Sequence, residues 1–588
     1  MTAYQKLDTM PHLTDIMEAI AQGNPHDGNV RALSIDPRRS IALLAPAGSG
    51  KTTQLLYRLL ACLTVAQRPE EILAITFTNK AAGEIVERVM EALSAAAKGH
   101  APAEAHEMPL FQLSQLVLER DDKMGWNLLL NPSRLRIMTF DSFCAQLAAK
   151  TPIMSGLGGG KTLEDPSLVY RQAILETLGS VNDEHIEPEL REALEAVLGF
   201  ARNRFEALVP MFGALLAKRD QWVGDVLNLD MTEMADTVSN LAQTGAENAI
   251  KVLKRSVAVQ AVELLQEAST LRDGFEWASS PIIDTSDAGL EYLRSFALYM
   301  LTADGKLRSR VNATNGMPAK ERITIAMNDL LTKLKGDDGG VAEALNSLLV
   351  LPDLEYPARS KEMASHLAII LRYLMGNLML AFDATASVDF PEVAQRAIQS
   401  LGAGDDVGDA LLEEDRICHL LVDEFQDTSP AQFHLLGKLI EHWGEEENRS
   451  VFFCGDGCQS IYLFRGATVG MFTDMVRAKS FGAQELEVHH LVVNFRSAPA
   501  VVEWNNQAYS QVFDGMKSTF VPSVPFRNFD GEVIVEPVTS GVVAEGERVA
   551  EIIKQEMAEN PEQSIAILVR GRSHLKHILP ALREAGIS

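Results

Sequence analysis

The chain has 588 residues, 46% hydrophobic and 23% charged, which is enough apolar material for several packed cores and roughly four domains at about 150 residues each. Its 53 basic and 80 acidic residues give a formal net charge of −27, so a surface that is basic throughout is excluded, and any nucleic-acid contact must come from local patches or grooves. Five cysteines, at 62, 144, 418, 454 and 458, show no CxxC or Cys/His zinc spacing, which argues against a zinc module and fits a reducing, cytoplasmic compartment.

The N-terminal residues have no basic start followed by an apolar run, so no signal peptide is indicated. Residues 1–40 are polar and irregular with some helical character. From Ile41 strands and helices alternate. Ile41–Ala45 is a short apolar strand, and Thr52–Leu63 is a helix with Leu55, Leu56, Leu59, Leu60 and Leu63 on one face. Ile72–Phe77 predicts a strand, Lys80–Leu93 a helix, and Leu135–Phe140 a third strand. Such alternation predicts a parallel sheet covered by helices. Between Thr151 and Leu401 long helical patterns dominate, as in Ser256–Thr270 and Ala364–Phe382, broken by loops at Gly158–Gly160 and Gly336–Gly340. The most apolar stretch, Leu367–Phe382, contains Arg372 and Asn377 and repeats at helical spacing, so it reads as a core helix and not a membrane span. Asp405–Asp415 reads as a solvated acidic connector. The α/β pattern then returns. Ile417–Val422 and Val451–Gly455 are buried strands by composition, Leu491–Val493 begins another, and Ser564–Val569 and Ser573–Ala585 read as a strand and a helix.

The chemistry starts at Ala45-Pro46-Ala47-Gly48-Ser49-Gly50-Lys51-Thr52, a phosphate-binding loop between a strand and a helix, with Thr53 next in line and alanine at the first position where glycine is usual. Small residues let the loop aim backbone N–H groups at phosphate oxygens, and the following helix adds its positive end. Lys51 is placed to reach the β- and γ-phosphates of ATP, and the Thr52 hydroxyl to ligate Mg²⁺. Such a loop needs an acidic partner at another strand's end. Asp423-Glu424 follows Ile417–Val422, about 370 residues downstream. Asp423 is the expected Mg²⁺ residue, and Glu424 the base for the attacking water.

The neighbouring residues point to a family. Asp423-Glu424-Phe425-Gln426-Asp427-Thr428-Ser429 resembles motif II of the UvrD/Rep/RecB-like superfamily 1 DNA helicases, and Thr76-Phe77-Thr78-Asn79-Lys80-Ala81-Ala82 resembles their motif Ia. Gly455-Asp456, Gln459-Ser460-Ile461-Tyr462 and Phe464-Arg465-Gly466-Ala467 resemble motif III, and Asn494-Phe495-Arg496-Ser497 resembles motif IV. The blocks follow the family's order. The loop's wording, Thr139–Ser142 and the large insertion look closest to RecB-like ATP-dependent helicase/exonuclease subunits. The resemblance implies a first RecA-like P-loop domain in two segments, 1–150 and 402–490, a mostly helical insertion at 151–401, and the start of a second, incomplete RecA-like domain at 491–588. It implies an ATP- and Mg²⁺-dependent helicase or translocase on single-stranded DNA, or DNA with a single-stranded end, moving 3′ to 5′ in repair or recombination, with a partner subunit of a helicase–nuclease complex. By resemblance, Gln459 senses the γ-phosphate, Arg496 is an arginine finger and Phe495 stacks on adenine. Phe77, Thr78, Lys80, Thr139, Phe140, Tyr462, Phe464 and Arg465 become candidate DNA contacts, with core packing the alternative for the aromatic ones.

The sequence departs from the family in several places. The stretch Asp27-Gly28-Asn29-Val30-Arg31 holds no Gln where relatives read adenine, Gly457-Cys458 fills the motif III turn, and Asp141 stands where His is frequent. Motifs V and VI and a nuclease domain have no counterpart, so the front portion of a longer chain is expected. A catalytically incomplete module that binds nucleotide, DNA or a partner is the alternative. A nuclease has little support, because no Asp/Glu/Lys cluster stands out beyond motif II.

Overall fold

The computed structural model describes residues 10–24, 26–150, 161–223, 243–254, 258–271, 283–302, 305–312, 315, 317, 321–336, 340–350, 358–401, 416–441, 443, 448–461, 468–513, 520–539 and 541–587. Six strands form one parallel sheet: β1 (Ile41–Leu44), β2 (Ile72–Thr76), β3 (Arg136–Thr139), β4 (His419–Val422), β5 (Ser450–Gly455) and β6 (Glu487–His490). Their spatial order is β6-β1-β5-β4-β2-β3, every neighbouring pair parallel. β1, β2, β4 and β5 are buried along their whole length, as expected of strands covered on both faces.

Alternation along each strand divides the core in two. Ile41, Leu43, Ala74, Leu421 and Phe452 point to one face and pack with Leu55, Leu59 and Leu63 of the helix Lys51–Val65. Ala42, Leu73, Ile75, Leu420 and Phe453 point to the other and share a core with Phe143, Leu435 and the inserted helices. The insertion itself has two parts. Helices Ser167–Gly179, Pro188–Phe200, Ala358–Thr385 and Phe390–Ser400 are continuous with the sheet's core. A second, separate core joins helices Ala258–Leu271, Asp287–Met300, Arg322–Gly336 and Val341–Val350. Glu362–Thr385 is long and apolar enough to cross a membrane, but its Ile370, Leu374, Leu378 and Phe382 are buried in the shared core, as its spacing predicts. The expected loop 158–160 and the acidic connector 405–415 lie outside the described residues.

Three expectations need correction. Phe140 closes no strand; it opens the helix Phe140–Lys150. The edge strand β6, Glu-Val-His-His, carries no apolar run and was hidden by its composition, while Val493–Asn494 forms a separate short parallel pair with Val524–Pro525. Ser564–Val569 is not a strand: Leu568 is 94% exposed, and no described strand lies alongside to complete a ladder.

Candidate active site

β1 delivers the loop. Ala45 donates its N–H to Gly455 O at 3.0 Å, locking the end of β1 to β5, and the chain then turns so that Ser49 N–H reaches Pro46 O at 3.1 Å. Gly48 (φ +77°) and Gly50 (φ +83°) adopt left-handed backbone that other residues resist. At Gly48 a side chain is excluded twice over, since a Cβ there would lie 2.7 Å from Asn494 Oδ1 and 3.0 Å from Arg496 Cβ. The helix Lys51–Val65 follows at once, and its first residues Lys51, Thr52 and Thr53 line the cleft.

β4 lies two positions from β1 and delivers the carboxylates. Asp423 donates its N–H to Ile75 O at 2.9 Å. Glu424 then takes a left-handed backbone (φ +50°), a costly conformation for a residue with a Cβ, and leaves the strand direction. Its Oε2 meets Lys51 Nζ at 2.7 Å. The lysine and the acidic pair, some 370 residues apart, therefore converge. Burial alone would depress the Lys51 ammonium; the Glu424 carboxylate more than offsets it and leaves the group above the ordinary lysine range. The Asp423 carboxyl is only 6% exposed and is pushed up to about 6, chiefly by burial and then by the Glu424 charge, with Lys51 opposing.

Around this pair is a cleft of about 510 Å³. Pro46, Ala47, Gly48, Gly50, Thr52 and Thr53 form its floor. Gln459 reaches it from the turn after β5, where its amide donates to the Asp456 carboxylate. Phe495 and Arg496 close the far side. That side is pinned to the loop: Phe495 N–H donates to Gly48 O at 2.8 Å, and Asn494 Nδ2 to Ala47 O at 3.1 Å. Ala45 and Ser49, expected to hold nucleotide, are buried and do not line the cleft; Ala45 is consumed by the β1–β5 pairing, and Ser49 O accepts from Arg31 at 2.9 Å.

Two cleft arginines escaped the sequence reading. Arg88 lies mid-helix in Asn79–Ala97 among glutamates and looks like part of a solvated face, while Arg527 reaches the cleft only because Val524–Pro525 pairs with Val493–Asn494. Neither they nor Arg496 make an ion pair among the described residues, so three guanidinium groups and Lys51 concentrate positive charge in an acidic protein.

The stretch without a glutamine has a visible role. The Asp27 carboxylate accepts the N–H groups of Val492 and Val493 at 3.1 and 3.0 Å and pairs with Arg31 at 2.7 Å. Burial pushes this carboxyl up, but Arg31 and the two N–H groups outweigh it and hold it below its usual range. The Arg31 guanidinium sits 4.9 Å from the Phe495 ring centre.

The family model of the UvrD/REP helicase N-terminal domain matches residues 28–479. The chain belongs to the UvrD/REP helicase family. It is similar to proteins named as ATP-dependent helicase/nuclease subunits: 25% identical to that of Latilactobacillus sakei over 86% of this chain and 55% of the relative. The identity is 26% to that of Geobacillus kaustophilus over 81% and 38%, and 24% to that of Clostridium beijerinckii over 80% and 38%. The chain thus spans about half, or less, of the length of the relatives it matches.

The candidate DNA contacts fall in different settings. Thr78 and Lys80 are exposed, Thr78 Oγ capping the helix Asn79–Ala97 by accepting from Ala81 N–H at 3.1 Å, and Lys80 beside Glu84 at 3.7 Å. Phe77 is partly buried, 5.4 Å from the Phe140 ring. Phe140 and Thr139 correct the expectation. Phe140 is 2% exposed in the core, and the buried Thr139 has its hydroxyl bonded to Ser142 Oγ, so neither offers a face to a base. Tyr462, Phe464 and Arg465 lie outside the described residues.

Proposed function

We propose that this chain houses the ATP-hydrolysing core of a DNA helicase or translocase that works on single-stranded DNA, or DNA with a single-stranded end, in repair or recombination. The observation that carries the reading is the meeting of Lys51 and Glu424 at 2.7 Å across the P-loop cleft, with Asp423 beside them. The relatives' naming as one subunit of a helicase/nuclease favours a second, partner chain, and four buried cysteines among five favour the reducing cytoplasm. The family likeness favours movement 3′ to 5′. The boundaries read from the sequence near 150, 402 and 491 support a first RecA-like domain in two segments, an insertion between them and a second RecA-like domain from 491.

The residues divide the work by position. Lys51 and the loop N–H groups hold the triphosphate, and Phe495 supports the adenine. Glu424 orients the attacking water and takes its proton. Arg496 faces the charge that builds on the transferred phosphoryl group, and Gln459 reports that group to the turn after β5. Thr52 and Asp423 offer the hard oxygen donors that suit Mg²⁺, which supplies charge neutralisation at the phosphates when bound. DNA-stimulated ATP turnover tests the reading, and its absence overturns it.

Two further outcomes are expected. Arg496→Ala lowers kcat at least about 10²-fold with a smaller change in KM, read by steady-state kinetics, because the finger acts on transition-state charge. The Asp423 carboxyl sets an acid limit: in the free protein it takes a proton as pH falls through about 6, so Mg²⁺·ATP affinity weakens below that pH. Since its native value lies above the ordinary 3.8, the native state holds the extra proton between those values, and the nucleotide-free protein loses stability as pH rises through that window. Asp423→Asn should therefore abolish Mg²⁺-dependent turnover and yet stabilise the free protein at pH 7.5, by order 1–3 kcal/mol in thermal or denaturant unfolding.

A further inference from the structure

The amide of Gln426 sits beneath the catalytic pair, 1% exposed and away from the cleft lining. The left-handed turn at Glu424 starts the short helical turn Phe425–Asp427, which folds the Gln426 side chain back toward the residue two before it. Its Nε2 donates to Glu424 Oε2 at 2.9 Å and lies 3.2 Å from Asp427 Oδ2. Its Oε1 accepts the Asp456 N–H at 2.9 Å. The reverse orientation of the amide would put a carbonyl oxygen against two carboxylates and an NH₂ group against an N–H, so the surroundings allow one way round. Gly455 makes room: a Cβ there would lie 2.7 Å from Gln426 Oε1.

Both ends of this amide lead to machinery. Glu424 Oε2 takes Gln426 and Lys51 on the same oxygen, leaving Oε1 outside these two bonds. Asp456 carries the turn that presents Gln459, whose N–H donates to Asp456 O at 2.9 Å. Asp427 accepts the Ser460 hydroxyl at 2.8 Å, on the segment leading to residues 462–467. A single buried side chain therefore spans the base and the turn that carries Gln459.

We infer that Gln426 is a positioning residue: it fixes the rotamer of Glu424 and ties it to the Asp456–Ser460 turn. A shift of that turn moves the acceptor side of the amide, and through its donor side moves the base. The inference rests on the reading of Glu424 as the base for water.

Gln426→Ala and Gln426→Glu in the whole chain test it, with Gly455→Ala as a second way to displace the amide. Gln426→Ala should lower kcat at least about tenfold with KM and the affinity for a fluorescent ATP analogue within about twofold. Deuterium exchange over residues 455–461 should accelerate, because the Asp456 N–H loses its acceptor. Gly455→Ala should reproduce both effects. Gln426→Glu keeps an acceptor for that N–H, so exchange stays slow, but it sets a carboxylate against Glu424 in place of a donor and should lower kcat as Gln426→Ala does. A merely structural role would lower the melting temperature and leave exchange over 455–461 and the kcat-to-KM split in place. Unchanged exchange in Gln426→Ala, or kcat within about twofold of the parent, overturns the inference. The exchange readout needs no turnover, so it decides the contact even if hydrolysis fails, whereas wild-type nucleotide affinity in a Lys51 variant defeats the functional reading instead.

Discussion

Lys51→Ala is expected to abolish detectable ATP binding and turnover. Among the described residues Lys51 is the one lysine lining the cleft, and Glu424 already holds it there at 2.7 Å. Charge-assisted hydrogen bonds to phosphate contribute about 1.5–3 kcal/mol each, and loss of two weakens binding by roughly 10²–10⁴-fold. The loss is aggravated here, because Glu424 and Asp423 then face the triphosphate with one cation fewer between them. Arginine should not rescue, since its planar fork does not reproduce the compact point charge of the ammonium. Equilibrium titration with a fluorescent ATP analogue checks the prediction; affinity within tenfold of the parent would remove this loop from the phosphate site.

Glu424→Gln is expected to separate binding from chemistry. The amide keeps the shape and loses the proton acceptor, so kcat should fall about 10²–10⁴-fold, the usual worth of a positioned general base. Binding should persist, and tighten rather than weaken, for a reason visible in the ion pair. In the nucleotide-free protein Lys51 must leave Glu424 before it can grip phosphate, and a neutral amide releases it more readily. Single-turnover hydrolysis and nucleotide affinity measured on the same preparation decide the matter. Retained turnover rules out Glu424 as the base.

The candidate site was legible where its chemistry is local. Gly48 to Thr52 and Asp423-Glu424 announce themselves because the phosphate loop and the strand-end carboxylates need those residue types at those spacings. What depends on strand register was not legible. Arg527 and Arg88 enter the cleft through pairings and helix placements that no short window of sequence contains. Asp27 and Arg31 looked like a missing glutamine; in three dimensions they bind the N–H groups of Val492 and Val493 and the carbonyl of Ser49. Phe140 misled in the opposite direction. An aromatic residue near a strand end fits a base-stacking platform and a core equally well, and here the core holds it. The helical insertion was readable as helical, but its division into two cores was not, since periodicity reveals a buried face without naming its partner.

The strand order also bears on how the protein is made. Both neighbours of β1 come from residues 450–455 and 487–490, about 400 residues later in the chain. At roughly 5–20 residues per second, a ribosome needs on the order of 20–80 s to supply them. For that interval the greasy tetrapeptide Ile41–Leu44 has no ladder to join, while β2 and β3 can already pair with each other. Long-range closure of this kind is slow and leaves nascent chains reliant on chaperones. The phosphate loop is thus synthesised long before the strands that give it its working shape.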